Sequence, residues 1–328
     1  MLQMRFHFGE RDRDGDRPLD TAVMEACERH GVEAAVLLRG VEGFGAKHRL
    51  RTERLLSLSE DAPLVAAAVG EAARVEALAD EVQGMAREGL VVLEGVDATT
   101  GPTTDLAGRA AGPVVGGAED RVTATVWGAR DGAGAPHFEA VAALRRHGAE
   151  SATVMLGVDG VLGGERRRAR FVAHNRGVPA LTVAVGERGV IEAALREVDG
   201  AHLVTVDSGV GNPLYGRVSH TAATGARATL VTSEIAHGEA HPRYVELIHA
   251  LRREGAAGAT ALRGVWGFRG DGEPHGDRML ALRRDVPMVV ETVDLAERVE
   301  RWGALADEVA KDGDVVCSQL VEEIRALS

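Results

Sequence analysis

The sequence predicts an α+β fold of three tandem βαββαβ units, and three observations predict it. One motif, an apolar run followed by Gly-Val-x-Gly, occurs three times. It reads Leu37-Leu38-Arg39-Gly40-Val41-Glu42-Gly43-Phe44, then Val154-Met155-Leu156-Gly157-Val158-Asp159-Gly160-Val161, then Ala261-Leu262-Arg263-Gly264-Val265-Trp266-Gly267-Phe268. Upstream of it, Gly31, Gly148 and Gly255 each stand nine residues before the first motif glycine, and Pro18, Pro136 and Pro242 open the helical stretch before them. Downstream, Pro63, Pro179 and Pro287 follow the second motif glycine by 20, 19 and 20 residues, each just ahead of an apolar run.

The elements of the unit follow in order. A strand comes first, at residues 2–8, 122–127 and 228–232. A proline at the first helical turn suits a helix start. The helix shows apolar residues at the 3.6 period: Val23 and Cys27, Val141 and Leu144, and Leu247, Ile248 and Leu251. Gly31, Gly148 and Gly255 then stop it, as glycine in the left-handed conformation does. A second strand ends at the motif, and an arm rich in charge and glycine follows. The third strand covers 64–69, 180–185 and 288–292. A second helix places Val75, Leu78, Val82 and Met85 on one face; its counterpart, with Leu295, Val299, Trp302 and Val309, reads as about one turn longer. In the middle unit this helix is shorter, at 187–197. The last strand is at 90–93, 202–206 and 315–317, which completes a ferredoxin-like split βαβ. The units are 1–97, 121–206 (the most divergent) and 226–328. Residues 98–120 and 207–225 read as linkers long enough to let neighbouring units rearrange.

Composition excludes several classes. With 328 residues, 45% hydrophobic and 27% charged, the chain reads as globular. Its formal charge of −12 disfavours nucleic acid as a partner, because polyanion binding wants a basic excess. Aromatics at 3% supply no general platform for stacking bases. No run of 18 apolar residues offers a membrane-spanning helix, and residues 1–10 lack a secretion signal, so the expected location is the cytoplasm. Cys27 aligns with Leu144 and Leu251, and Cys317 with Leu93. Both read as core residues rather than nucleophiles, and two cysteines make neither a disulfide scaffold nor a metal cluster.

The first unit resembles a known family. Phe6-His7-Phe8-Gly9, Arg17-Pro18-Leu19, Leu38-Arg39-Gly40-Val41-Glu42-Gly43-Phe44-Gly45 and Leu58-Ser59-Glu60-Asp61-Ala62-Pro63 look like the PII-like family known as domain of unknown function 190. The resemblance covers nearly all of 4–96, covers 226–321 well, and is weaker over 121–206. It implies trimers whose sheets face a central axis, small ligands (often adenine nucleotides) in clefts between subunits, and an exposed loop that docks on a partner. With three units in one chain, the expectation is an intrachain PII-like pseudo-trimer, monomeric in solution, with three chemically different clefts. Well-studied PII proteins carry a glycine-basic phosphate loop after the second helix. Here the matching segments are only Arg87-Glu88-Gly89, Asp199-Gly200-Ala201 and Lys311-Asp312-Gly313, which favours a smaller nucleotide or another metabolite over ATP.

The candidate ligand-binding residues lie at the motifs and arms. In the first unit they are Arg39, Gly43, Phe44, Gly45, Lys47, His48 and Arg54; in the second, Arg166 and Arg168; in the third, Arg263, Gly267, Phe268 and Arg278. Basic side chains beside a glycine turn converge N–H donors on an anion. The plainer readings stand beside this one: solvated charges on the arms, inter-unit salt bridges for Arg39 and Arg263, and packing of Phe44 and Phe268 against a neighbouring unit. The glycines match neither the dinucleotide fingerprint nor a P-loop. His237-Gly238-Glu239-Ala240-His241 precedes its helix and lacks the geometry of a zinc site. No Gly-x-Ser-x-Gly elbow or recurring acid pair points to catalysis. The expected function is therefore regulatory and not enzymatic. The protein would take no resident cofactor, bind a small anionic ligand with an adenine nucleotide as candidate effector, and reach a protein target through the arms. The alternatives are a ligand-free interaction module and a divalent-metal-handling protein.

Overall fold

The first third of the chain folds as β1 (Leu2–Gly9), β2 (Arg13–Asp14), β3 (Arg17–Pro18), α1 (Leu19–His30), β4 (Ala34–Phe44), β5 (Leu50–Thr52), β6 (Pro63–Gly70), α2 (Ala72–Met85) and β7 (Gly89–Thr99). The middle third gives β8 (Arg121–Ala129), α3 (Pro136–His147), β9 (Ser151–Leu156), β10 (Asp159–Leu162), β11 (Glu165–Arg168), β12 (Pro179–Glu187), α4 (Arg188–Leu195) and β13 (Leu203–Asp207). The last third gives β14 (Gly225–Ser233), α5 (Arg243–Arg253), β15 (Ala259–Arg263), β16 (Trp266–Arg269), β17 (His275–Gly276), β18 (Pro287–Leu295), α6 (Ala296–Val309), β19 (Val315–Val321) and β20 (Glu323–Leu327). This computed structural model describes residues 1–45, 47–52, 61–99, 121–130, 136–169, 177–207, 225–233, 242–276, 286–311 and 313–327.

The fold is mixed α and β with antiparallel pairing. In the first third β1 lies between β6 and β7, and β4 flanks β6. The same scheme recurs with β8 between β12 and β13 and β9 beside β12, and with β14 between β18 and β19 and β15 beside β18. Helix α1 begins directly after Pro18, and Gly31 ends it at φ 60, donating its N–H to the Glu28 carbonyl. Some boundaries differ from expectation. β7 runs to Thr99, β13 reaches Asp207 and β14 starts at Gly225, so strand pairing extends into both segments read as linkers. Helix α6 has 14 residues, as α2 does, so there is no extra turn. The unanticipated β20 pairs with β7 from Glu323↔Leu93 to Leu327↔Gly89.

Burial on both faces of the sheets explains the apolar runs. Along β6, Leu64, Ala66 and Ala68 pack with Phe6, Val23 and Leu78 under helices α1 and α2. The alternate residues Val65, Ala67 and Val69 point the other way. They meet Trp127, Met155, Leu181, Val183, Leu262 and Val289 in a central core. That core draws on all three thirds, so no third buries its inner face alone. Each fully buried Val or Leu contributes roughly 1.5–3 kcal/mol.

The Gly-Val-x-Gly motif marks where the chain passes from its own sheet to a neighbour's. The end of β4 pairs with β15 (Gly43↔Thr260), β10 pairs with β4 (Gly160↔Val36), and β16 pairs with β9 (Gly267↔Thr153). The exchanges thus run from first third to last, last to middle and middle to first, closing a ring. At these crossings a Cβ on Gly160 would lie 2.4 Å from the Ala35 carbonyl oxygen, and one on Gly267 would lie 2.0 Å from that of Ala152. Only glycine lets the strands approach this closely.

Candidate functional site

Where the first and last thirds meet, a cleft of about 270 Å³ opens between β1, the end of β4 and the start of β7 on one side and β15 and β18 on the other. Phe8, Phe44, Leu90, Val293 and Leu327 give it apolar walls. Its polar floor holds His7, Thr260 and Glu291, with His7 Nδ1 3.4 Å from Thr260 Oγ1. Burial drives the His7 pKa down to about 4 against the pull of Glu291, so the imidazole is neutral at pH 7. Its Nε2 is buried without a hydrogen-bond partner among the described residues. Lys47, Arg49 and Arg51 line the cleft together with Asp12 and Glu88. Lys47 is paired with Glu88, and Arg51 with Asp61 at 3.0 Å and Asp12 at 3.5 Å. The Lys47–Glu88 pair is exposed and therefore weak, so an incoming anion can replace the carboxylate.

Glu291 also belongs to a buried charge cluster behind the floor. It accepts from Arg5 Nη1 at 3.1 Å and Arg227 Nη1 at 3.3 Å. Arg227 reaches Asp207 at 2.7 Å, and its Nε lies 3.1 Å from Glu94. Gln3 completes the group, its amide 3.5 Å from Glu94. These side chains come from β1, β7, β13, β14 and β18 and so tie all three thirds together. Two guanidinium groups face three carboxylates, and an uncompensated buried charge costs several kcal/mol. Burial accordingly pushes Glu94 up to about 7 despite Arg227 beside it. Burial acts upward on Glu291 too, but Arg5 and Arg227 outweigh it and its pKa falls.

The predicted residues divide. Phe44, Gly45 and Lys47 line the cleft. Gly43 sits at the crossing beside it, and His48 stacks on Phe44 with centroids 5.7 Å apart. Arg39 lies outside the lining and pairs with Glu10 at 3.0 Å. Arg166 is taken by Asp159 at 2.6 Å, and Arg168 by Asp20 at 3.2 Å. Gly267 serves a crossing, and Phe268 is buried in the middle third's core with the Arg145 guanidinium 5.8 Å above its ring. Arg263 ends β15, outside the cleft lining. Arg54, Arg278 and the His237–His241 stretch lie outside the described residues. His7, Thr260 and Glu291 escaped the sequence reading. The available signal was a charge inside an apolar strand: Glu291 interrupts Met288-Val289-Val290, as Arg5 interrupts β1.

No helix among the described residues is long and apolar enough to cross a membrane, and no group of three potential metal ligands occurs among them. A UPF0166 protein of Aquifex aeolicus is 24% identical over 94 residues, covering 29% of this chain and 89% of that protein. Among solved structures, an aspartate kinase from Synechocystis aligns at TM-score 0.25 and 9% identity over 97% of this chain, which spans 43% of the kinase. An unknown protein from Galdieria sulphuraria aligns at TM-score 0.19 and 12% identity, over 62% of this chain and 98% of its own. The family described as DUF190, uncharacterized ACR, matches residues 1–98 and again 226–322, more than half of the chain. With its motifs at the strand crossings and its pairing scheme repeated three times, the chain belongs to the DUF190 family of PII-like proteins.

Proposed function

We propose that the protein is a cytoplasmic PII-like regulator. In this reading it is three ferredoxin-like units (1–97, 121–206 and 226–328) closed into an intrachain pseudo-trimer that is monomeric in solution. It binds one class of small anionic ligand in the cleft between the first and last units. The observation that carries the reading is the cleft itself, with apolar walls for a flat ring, a buried polar floor, and Lys47, Arg49 and Arg51 along its lining for an anionic group. A mononucleotide such as AMP or ADP suits that division better than a triphosphate, because no phosphate loop follows α2. Ligand seated against Lys47 would draw the arm between β4 and β6 toward one of two arrangements with different affinity for a protein target. No catalytic step is assigned.

The test is a thermal-shift and calorimetry panel of AMP, ADP, ATP, cyclic AMP, phosphate, bicarbonate and divalent metals. A ligand at 100 times its Kd adds about 2.7 kcal/mol, or roughly 3–6 °C for a chain of this size. Lys47→Ala with Arg49→Ala should weaken a bound anion about tenfold without moving the ligand-free Tm. A flat panel would remove the sensing reading in favour of an interaction module, and a response to metal alone would favour metal handling.

A further inference from the structure

Strand register makes the three inter-unit junctions comparable residue by residue. Val65, Leu181 and Val289 occupy one position after the shared prolines, and they pair with His7, Trp127 and Val231. Those in turn pair with Leu90, Leu203 and Val315 of the last strands, so Gly89, His202 and Asp314 are equivalent. On the arms, Phe44, Val161 and Phe268 pair with Ala259, Ala35 and Ala152, which makes Gly45, Leu162 and Arg269 equivalent. The open cleft thus has glycine at both corresponding positions, Gly45 and Gly89, the latter at φ 145 with the Phe6 ring and the His7 carbonyl where a Cβ would stand. The other two junctions carry a side chain at each.

Those side chains act as latches. At the junction of middle and first thirds, His202 Nε2 donates across the gap to the Glu33 carbonyl at 3.0 Å. Behind it Trp127, fully buried, stands where His7 stands in the open cleft and donates to Thr205 at 3.0 Å. At the junction of last and middle thirds, the buried Asp314 carboxylate takes Arg269 at 2.9 Å, Arg243 at 2.7 Å and Thr232 at 3.2 Å. The floors differ in the same sense. Glu291 is replaced by Ala67 and Val183, the residues opposite Val36 and Thr153.

We infer that only one of the three junctions is a binding site, so that the chain takes a single ligand, while His202 with Trp127 and Asp314 with Arg269 hold the other two permanently shut. This rests on the cleft being the ligand site, and it turns a ring of three potential sites into a one-to-one receptor without cooperativity between clefts.

Access can be measured without knowing the ligand. In a Cys27→Ala, Cys317→Ala background, the full-length variants Leu90→Cys, Leu203→Cys and Val315→Cys place a thiol at the same register position of each junction. The probe is 5,5′-dithiobis(2-nitrobenzoate), an aromatic anion whose release of thionitrobenzoate is read by absorbance. Leu90→Cys should react at least about 100-fold faster than the other two, which must wait for local opening. Rates within threefold of one another would overturn the inference. Because a misfolded variant would also react fast, a second arm adds Asp314→Gly and Arg269→Gly to Val315→Cys, giving the third junction the glycines of the first. With circular dichroism unchanged, its rate should rise toward that of Leu90→Cys; no rise overturns the latch. If the rates are unequal but the nucleotide panel is flat, the single opening stands and the nucleotide reading fails. If a nucleotide binds with three equivalents per chain, the function stands and the single site fails.

Discussion

Replacing Glu94 by Gln should abolish one component of the protein's pH dependence. Glu94 lies in the cluster of Arg5, Arg227, Asp207 and Glu291, where burial pushes its pKa from the ordinary 4.5 to about 7. A carboxyl raised in the folded state contributes stability that is complete below 4.5 and lost as pH rises to about 7. The difference amounts to roughly 3 kcal/mol at about 1.4 kcal/mol per unit. Two histidines act in the opposite sense over nearly the same range. Burial lowers His7 and His137 from 6.5 to about 4, so their neutral forms stabilise the fold above 6.5, and that contribution is lost as pH falls toward 4. The wild-type curve alone therefore mixes opposing slopes, and the informative quantity is the stability of Glu94→Gln minus that of wild type. Gln resembles the protonated carboxyl and can still receive a hydrogen bond from Arg227. The difference should grow in favour of the variant by roughly 3 kcal/mol between pH 5 and pH 8 and stay level above that. Urea titrations at five pH values read it directly. A difference that is flat across that interval would show that Glu94 does not hold the cluster's proton.

Other consequences follow from the same geometry. Gly160→Ala places a methyl 2.4 Å from the Ala35 carbonyl and should cost about 2–4 kcal/mol in chemical denaturation, whereas Gly84→Ala, with nothing within 4 Å, should be neutral or stabilising. Arg227→Met strands Glu94, Asp207 and Glu291 without their shared cation and should cost about 3–5 kcal/mol. Much of that loss should return when Glu94→Gln and Asp207→Asn are added. Cys27, fully buried and with its thiol pushed up to about 12 by burial, should resist iodoacetamide at pH 8 until the chain unfolds.

The recurring helix and motif spacing was legible because its signature is local. Pro18 and Gly31 bracket a helix by backbone preference alone, and the Gly-Val-x-Gly motif has fixed spacing from Pro63. The reason for the motif was not legible. Gly43, Gly160 and Gly267 each admit a strand from another part of the chain, a contact that no local pattern encodes. The site divided along the same line. Lys47 and Phe44, named from the sequence, stand beside the motif and line the cleft, while His7, Thr260 and Glu291 converge on it from β1, β15 and β18. The partners of the basic residues were hidden for a related reason. Arg166 looked free in a run of arginines, but the hairpin of β10 and β11 folds it onto Asp159.

A pairing scheme that recurs in all three thirds of one chain, with different side chains each time, is what permits such a cluster and such a cleft. In a ring of identical subunits each choice near the axis is made three times. At the register position held by Gln3, Thr123 and Arg227, a threefold-repeated arginine would bring three guanidinium groups into the buried centre. The facing position, held by Glu94, Asp207 and Gln319, would have to answer with three carboxylates. On a single chain each position mutates alone. One arginine there, with Arg5 one step inward, serves carboxylates from all three thirds. The same freedom lets His202 and Asp314 serve as latches where the first third has Gly89, held to glycine by its φ of 145 and its approach to Phe6, so two junctions serve stability and the third keeps its opening. A variant that fills the arm position alone, Gly45→Arg, where an added Cβ meets nothing within 4 Å, should therefore narrow the last cleft with the residue type that Arg269 supplies at the next junction. It should slow labelling of Leu90→Cys while leaving the fold intact; continued labelling at the original rate would show that this position does not control the opening.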